Sequence, residues 1–151
     1  MTDPIVKTVF VNCSPEHAFK VFVSRISDWW PVESHSVSAG EGRPAQSVTI
    51  ERTVGGSVYE TKYDGSRADW GRVLTYEQGK KLTMTWHPGN NSDNATLVEV
   101  TFTGSDTGCD VTLTHSGWDV WGSEAPDRIT RYTEGWGMIL GTLYTTACQS
   151  T

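Results

Sequence analysis

Apolar and polar residues alternate along most of this chain with the period of two that a β-strand requires. The segment PIVKTVFVN, residues 4–12, predicts a first strand on this basis. Six further alternating segments follow between residues 47 and 117, separated by turns that contain glycine or asparagine. They predict strands at residues 48–52, 57–63, 68–76, 81–87, 96–103 and 110–116. Short strands joined by short turns favour an antiparallel meander.

Two segments change to the period of an α-helix, with apolar residues recurring on one face. SPEHAFKVFVSRI, residues 14–26, starts with Ser14 as N-cap and Pro15 in the first turn. Residues 127–148 predict a long C-terminal helix, whereas SHSVSAGEGRPAQ, residues 34–46, predicts a surface loop. This order of elements predicts an α+β fold in a single domain, residues 1–151, with helices packed on one face of an antiparallel sheet.

Three glycines interrupt the predicted C-terminal helix: Gly135, Gly137 and Gly141. Each costs about 0.5–1 kcal/mol relative to alanine in a helix interior. On a helical wheel they lie on the two shoulders of the apolar stripe. We expect Gly137 and Gly141 to leave room there for a cavity walled by tryptophans; close packing against neighbouring strands is the alternative.

Threonines recur at alternate positions of several predicted strands, and threonine suits the solvent-facing side of a sheet. The alternate residues should then face the helices, and they include Arg52, Glu60, Arg72 and His115 as well as Leu74. Glu60 is expected to pair with Arg72 across the turn at residues 64–65. These groups either form a polar end of the sheet or a structural ion pair, or they line a pocket.

Composition and charge exclude several classes of function. The 151 residues carry a net charge of −6 without a basic block, which argues against a nucleic-acid partner. We expect no membrane span and no signal peptide, and hence a cytoplasmic protein. Three cysteines without a CxxC motif fit that compartment. The four histidines lack metal-ligand spacing, and no known cofactor motif is present.

Tryptophan is the unusual component, with seven residues in the chain. The indoles either fill a small core or wall a cavity, since ligand pockets are rich in aromatic groups. The residues expected to bind a ligand between sheet and helix are Glu60, Trp70, Arg72, Met84, Trp86, His115 and Trp136. No catalytic residue, metal ligand or cofactor is assigned, although Glu60 and His115 could form an acid–base pair.

An ordered series of motifs resembles a known family. The motifs are SPEHAFKVF, WWP, VGGSVYE, DWGRVLTYEQGKKLTMTW, VEVTF, GCDVTLTHSGW and EGWGMIL. Together they resemble the domain related to the C-terminal part of the heat-shock-protein-90 ATPase activator, within the helix-grip (START-like, Bet v 1-like) superfamily. The resemblance implies a curved seven-stranded antiparallel sheet gripping the long C-terminal helix, with a cavity between them.

Three functions follow from that resemblance. The first is a non-enzymatic protein that binds an apolar or amphipathic small molecule. The second is an enzyme, a cyclase, dehydratase or hydrolase, that uses Glu60 and His115 in the same cavity. The third is a module that stimulates the chaperone ATPase. We expect no stimulation, because a single domain offers a smaller docking surface than the tandem co-chaperone.

Overall fold

Seven antiparallel strands form one curled sheet in the computed structural model, which describes residues 3–149. The strands follow the spatial order β1-β7-β6-β5-β4-β3-β2. From β2 to β7 each strand therefore pairs with the next one along the chain, and β1 pairs with β7. Their bounds are β1 Ile5–Val11, β2 Ser47–Ile50, β3 Ser57–Thr61, β4 Arg67–Glu77, β5 Lys81–Trp86, β6 Thr96–Gly104 and β7 Cys109–Ser116. The predicted α+β, helix-grip architecture is confirmed.

The helices lie in two groups, one after β1 and one after β7. The first comprises α1 Pro15–Ser24, α2 Ile26–Trp29 and α3 Val37–Gly40. The second comprises a 3-10 segment Trp118–Glu124, α4 Ala125–Met138, a π-helical segment Ile139–Tyr144 and α5 Thr145–Gln149; a short 3-10 turn, Ser92–Asn94, precedes β6. Ser14 caps α1 as expected, its hydroxyl accepting from the His17 backbone N–H at 3.1 Å. No helix within residues 3–149 has the length and apolar character that crossing a membrane requires.

The predicted inward faces of β5, β6 and β7 are buried, and their side chains form the core with α1 and the C-terminal helix. Tyr144 joins these layers, because its hydroxyl donates to the Ala18 carbonyl at 2.7 Å while its ring packs edge-on against Phe22. The alternation fails on β4, where Arg72 and Leu74 are exposed, and Arg52 after β2 is exposed as well.

The expected Glu60–Arg72 ion pair is wrong. Glu60 lies opposite Ala68, and Arg72 lies opposite Ser57, where its guanidinium donates to the Gly55 carbonyl at 3.1 Å. The reason is a register shift: Trp70 is an extra residue on β4 relative to β3. Such a bulge turns the residues after it to the other face of the sheet.

The predicted surface loop at residues 34–46 contains the helix α3, which the sequence reading missed. The Ser36 hydroxyl caps it by accepting from the Ala39 backbone N–H at 2.9 Å. Ser38 is fully buried, and its hydroxyl accepts from the Tyr63 backbone N–H at 2.9 Å. Small polar residues therefore tie this segment to the sheet.

The three helix glycines do not share one role. Gly137 and Gly141 are exposed, and a Cβ at Gly141 would meet no atom of another segment within 4 Å. The expectation that these two thin the helix beside a cavity is therefore wrong. Gly135 faces the segment before α3, since a Cβ there would lie 3.6 Å from Nε2 of His35, whereas a Cβ at Gly137 would meet only Nζ of Lys7, at 3.9 Å.

Replacing Gly137 or Gly141 by alanine should stabilise the protein. Because both positions have room for a methyl group, each substitution should raise the free energy of unfolding by about 0.5–1 kcal/mol through helix propensity. Thermal and urea denaturation measure the change. Gly71→Ala on β4 is the contrasting control and should destabilise strongly, since its Cβ would overlap the backbone carbonyl of Thr85. A loss of stability at Gly141 would contradict the open geometry.

Candidate functional site

A cleft of about 670 Å³ opens between the segment that carries α3, the ends of β4 and β5, and α4. This volume is typical of a small-molecule site, for which about 300–1,000 Å³ is usual. We call it the tryptophan cleft. It is lined by Trp30, Ser34, His35, Ser36, Val37, Gly40, Glu41, Trp70, Trp86, Pro88, Gly89, Arg128, Arg131, Tyr132, Gly135, Trp136 and Ile139.

Four indoles, linked by their ring contacts, form the floor of the cleft. Trp30 touches the other three, with ring centroids 5.2 Å from Trp70, 5.8 Å from Trp86 and 5.7 Å from Trp136. The ring centroid of Trp86 lies 5.4 Å from that of Trp70 and 5.5 Å from that of Trp136. All four are buried. The indoles therefore fill the core and wall a cavity at the same time.

A second, smaller cleft of about 420 Å³ lies on the other side of Trp30, between α2 and the C-terminal helix. Two of its charged lining residues, Arg25 and Asp28, pair with each other at 3.0 Å, and the third is Glu33. Because this cleft is smaller and only two indoles, Trp29 and Trp30, line it, the tryptophan cleft is the better candidate site.

Glu60 lies behind the cleft, fully buried, and it supports one wall. One carboxylate oxygen accepts from the Val37 backbone N–H at 2.6 Å and from the Trp70 indole N–H at 2.8 Å. The other accepts from the Ser38 backbone N–H at 3.0 Å. The carboxylate thus accepts hydrogen bonds from the free backbone N–H groups in the first turn of α3 and orients one indole of the floor. Both are structural roles.

His115 is equally enclosed, at 0 % exposure. Its Nδ1 accepts from the Trp136 indole N–H at 3.0 Å, and an indole can only donate, so the ring proton sits on Nε2. Nε2 then donates to the Thr96 hydroxyl at 2.6 Å, which in turn donates to the Trp86 carbonyl at 3.1 Å. Burial lowers the pKa of His115 to about 3. A neutral imidazole with both nitrogens engaged is not placed for acid–base chemistry.

The seven residues expected to bind a ligand divide into three groups. Trp70, Trp86 and Trp136 line the cleft. Glu60, Met84 and His115 are buried behind the lining, and Arg72 is exposed outside it. The structure therefore brings the three indoles together at the cleft and separates them from the polar residues first associated with them.

Several lining residues escaped the sequence analysis. His35 comes from the segment assigned to a surface loop, and its Nδ1 lies 2.7 Å from the Ser34 hydroxyl. Arg128, Tyr132 and Gly135 lie at helical spacing on one face of α4. Arg128 lies four residues before Tyr132, so helical periodicity places both side chains on the same face of α4. This spacing was the signal from which Arg128 could have been predicted to line the cleft.

Electrostatics at the cleft combine burial with two nearby cations. Burial raises the pKa of Tyr132, an effect partly offset by the Trp86 indole and by the charges of Arg128 and Arg131. The Trp86 N–H is buried and, among the described residues, has no acceptor in hydrogen-bonding geometry despite its interaction with Tyr132. Within residues 3–149 no cluster of His, Cys, Asp or Glu has the arrangement of a metal site.

His115 should make stability depend on pH. The unfolded chain takes up a proton below pH about 6.5, whereas the folded protein resists protonation until about pH 3. The stabilisation is therefore complete above pH 6.5 and is lost as pH falls toward 3, by up to about 1.4 kcal/mol per pH unit. Urea unfolding between pH 7.5 and 4.5 measures this slope.

The variant His115→Gln should be less stable at neutral pH but should show a shallower loss of stability on acidification. An unchanged slope in the His115 variant would show that the imidazole is not the group responsible.

Comparison with known proteins identifies relatives of this fold. An anthrahydroquino-gamma-pyrone synthase, Txn09, complexed with SUM, is 33% identical, with 83% of this chain and 84% of that one covered at a TM-score of 0.58. Protein MLL2253 from Mesorhizobium loti is 17% identical at a TM-score of 0.71, with 98% of each chain covered. The Aha1 dimer from Colwellia psychrerythraea is 16% identical at 0.68, with 95% of this chain and 94% of that one covered. A search of curated proteins finds no match.

The two matches below 20% identity show the shared fold. A family model described as activator of Hsp90 ATPase homolog 1-like protein (AHSA1) matches residues 12–147, nearly the whole chain. The predicted family is therefore confirmed. The chain belongs to the AHSA1 family.

Proposed function

We propose that this protein binds a planar aromatic small molecule in the tryptophan cleft. The observation that carries the proposal is the floor of four contacting indoles beneath an open volume of about 670 Å³. Indole faces and edges offer stacking and edge-to-face contacts to a flat ring system. The buried Trp86 N–H, which lacks an acceptor among the described residues, offers a donor to a ligand carbonyl or hydroxyl.

The comparisons support this class of ligand. The relative at 33% identity is described as a synthase of an anthrahydroquino-gamma-pyrone, a name that denotes fused aromatic rings. The four indoles are tilted to one another by 47–74°, so they offer a fused ring system edges as well as faces. The proposal transfers the chemical class of the molecule to this chain and leaves the reaction aside.

The neutral fluorophore N-phenyl-1-naphthylamine tests the site. Its emission should rise on binding, and Gly135→Leu should weaken the binding about 10-fold or more, because the new side chain enters the cleft beside His35. Gly141→Leu is the matched control: it adds the same side chain to the same helix outside the cleft, where there is open space.

Fluorescence titration and melting temperature should be measured on both variants. Equal loss of affinity in the two, or wild-type affinity in Gly135→Leu, would contradict binding in the cleft. Loss of folding in Gly135→Leu alone would assign Gly135 to packing, and Gly135→Ser then provides the smaller obstruction that must still reduce affinity.

A second candidate function is proton-transfer catalysis, favoured by the position of His35. Its Nδ1 is 2.7 Å from the Ser34 hydroxyl, which itself lies 3.5 Å from the Pro31 carbonyl. When that hydroxyl donates to the carbonyl, Nδ1 is the donor and Nε2 becomes the basic nitrogen. Nε2 lies against α4, 3.6 Å from where a Cβ at Gly135 would be, and has no hydrogen-bond partner among the described residues. This makes His35, rather than Glu60 or His115, the candidate general base.

Deuterium exchange at C2 of 1-tetralone, an aromatic ketone, tests this function. His35 would take the C2 proton to give the enolate, and a deuteron from solvent would return to the carbon. The wild-type protein should accelerate exchange about 100-fold or more over buffer, as general-base catalysis commonly does. His35→Gln should abolish the acceleration and His17→Gln should not. Exchange at the buffer rate with bound ketone would leave binding as the function.

Stimulation of a chaperone ATPase and a cytoplasmic location remain predictions. The tryptophan cleft is a candidate site for a small molecule, and its geometry tests neither of these two predictions.

A further inference from the structure

Arg128 is held in an unusual position at the rim of the tryptophan cleft. Its guanidinium carbon lies 3.4 Å from the centre of the Trp121 ring, a cation–π stack that fixes the side chain. Its Nε is buried and has no hydrogen-bond partner among residues 3–149. A guanidinium donor withdrawn from water and left unpaired is costly, so it calls for an acceptor.

The other charges that line the cleft are already compensated. Glu41 pairs with Lys62 at 2.7 Å, and Arg131 pairs with Asp127 at 3.0 Å. Arg128 forms no salt bridge with any described residue. The cleft therefore presents one uncompensated positive charge, in a protein whose net charge of −6 repels anions at long range.

Unsatisfied buried donors are concentrated at this site. Within residues 3–149, three buried side-chain polar atoms lack a partner: Thr83 Oγ1, Trp86 Nε1 and Arg128 Nε. Two of the three belong to residues that line the cleft. Because buried polar groups are nearly always paired in native proteins, this concentration points to an acceptor supplied from outside the chain.

We infer that Arg128 recognises an anionic group on the ligand, so that the cleft takes a planar aromatic molecule bearing a carboxylate or phenolate. The inference rests on the proposed binding function and adds the charge of the ligand to it. The ring system stacks on the indole floor, and the anion accepts from the guanidinium at the rim. The guanidinium fork matches the two oxygens of a carboxylate, which a lysine at this position would not.

Two fluorophores with one ring system separate charge from shape. N-phenyl-1-naphthylamine is neutral, and 8-anilinonaphthalene-1-sulfonate adds a sulfonate that stands in for the carboxylate. The wild-type protein should prefer the sulfonate. Arg128→Met should weaken the sulfonate about 10-fold or more, because a charge-assisted hydrogen bond is lost, and should leave the neutral probe within about twofold.

Arg67→Met is the matched control. Arg67 also stacks on an aromatic ring, with its guanidinium carbon 3.9 Å from the centre of Tyr59, but it lies on β4 outside the cleft. This variant should bind both probes as the wild type does. A loss of sulfonate affinity equal to that of Arg128→Met would overturn the inference, since the effect would then come from overall charge.

The outcomes also separate this inference from the binding function. If the neutral probe binds while the sulfonate gains nothing from Arg128, binding stands and the anion inference fails. If neither probe binds the wild-type protein, both fail.

Should Arg128→Met not fold, two further measurements decide. Arg128→Lys should bind the sulfonate with intermediate affinity. In the wild-type protein, added salt should weaken only the sulfonate. Salt-independent binding of the sulfonate would overturn the inference.

Discussion

Every indole N–H withdrawn from water needs an acceptor, and this requirement organises the core. The protein buries five tryptophans of the sheet and helices together with Trp118. Backbone carbonyls serve Trp29, Trp30 and Trp118, at 2.7–2.9 Å. Trp70 and Trp136 donate instead to side chains, the Glu60 carboxylate and the His115 imidazole. The two buried polar residues are therefore consequences of the indoles rather than a catalytic pair.

The same acceptors couple the core to the tryptophan cleft. The carboxylate of Glu60 accepts from a floor indole and from the first turn of α3, so the sheet and the wall of the cleft share one anchor. His115 links Trp136 on α4 to Thr96 on β6, which fixes the helix over the sheet. A ligand would therefore meet a floor and walls that are already held in place, and preorganised sites lose less entropy on binding.

The architecture could be read from the sequence because it depends on local periodicity, whereas the site depends on exceptions to it. Alternation located all seven strands and placed the inward faces of β5 to β7 correctly. It failed on β4, where Trp70 and Leu74 are extra residues relative to the flanking strands. Pattern alone cannot place a bulge, and each one reverses the residues beyond it. The anchor between Glu60 and Ser38 spans 22 residues, so the N-cap Ser36 was the only local signal of α3.

The two halves of the C-terminal helix have different roles, one in lining the cleft and one in stabilising the core. Its first half presents Arg128, Tyr132 and Gly135 to the cleft. Its second half buries Leu140 and Tyr144 against α1 and the sheet, and there the backbone widens into a π-helical segment. Such widenings are frequent near functional sites, and here the first residue of the segment, Ile139, also lines the cleft. Stability thus rests on the half that can tolerate an exposed Gly141, while the half that carries recognition keeps Gly135 where a side chain would close the cleft.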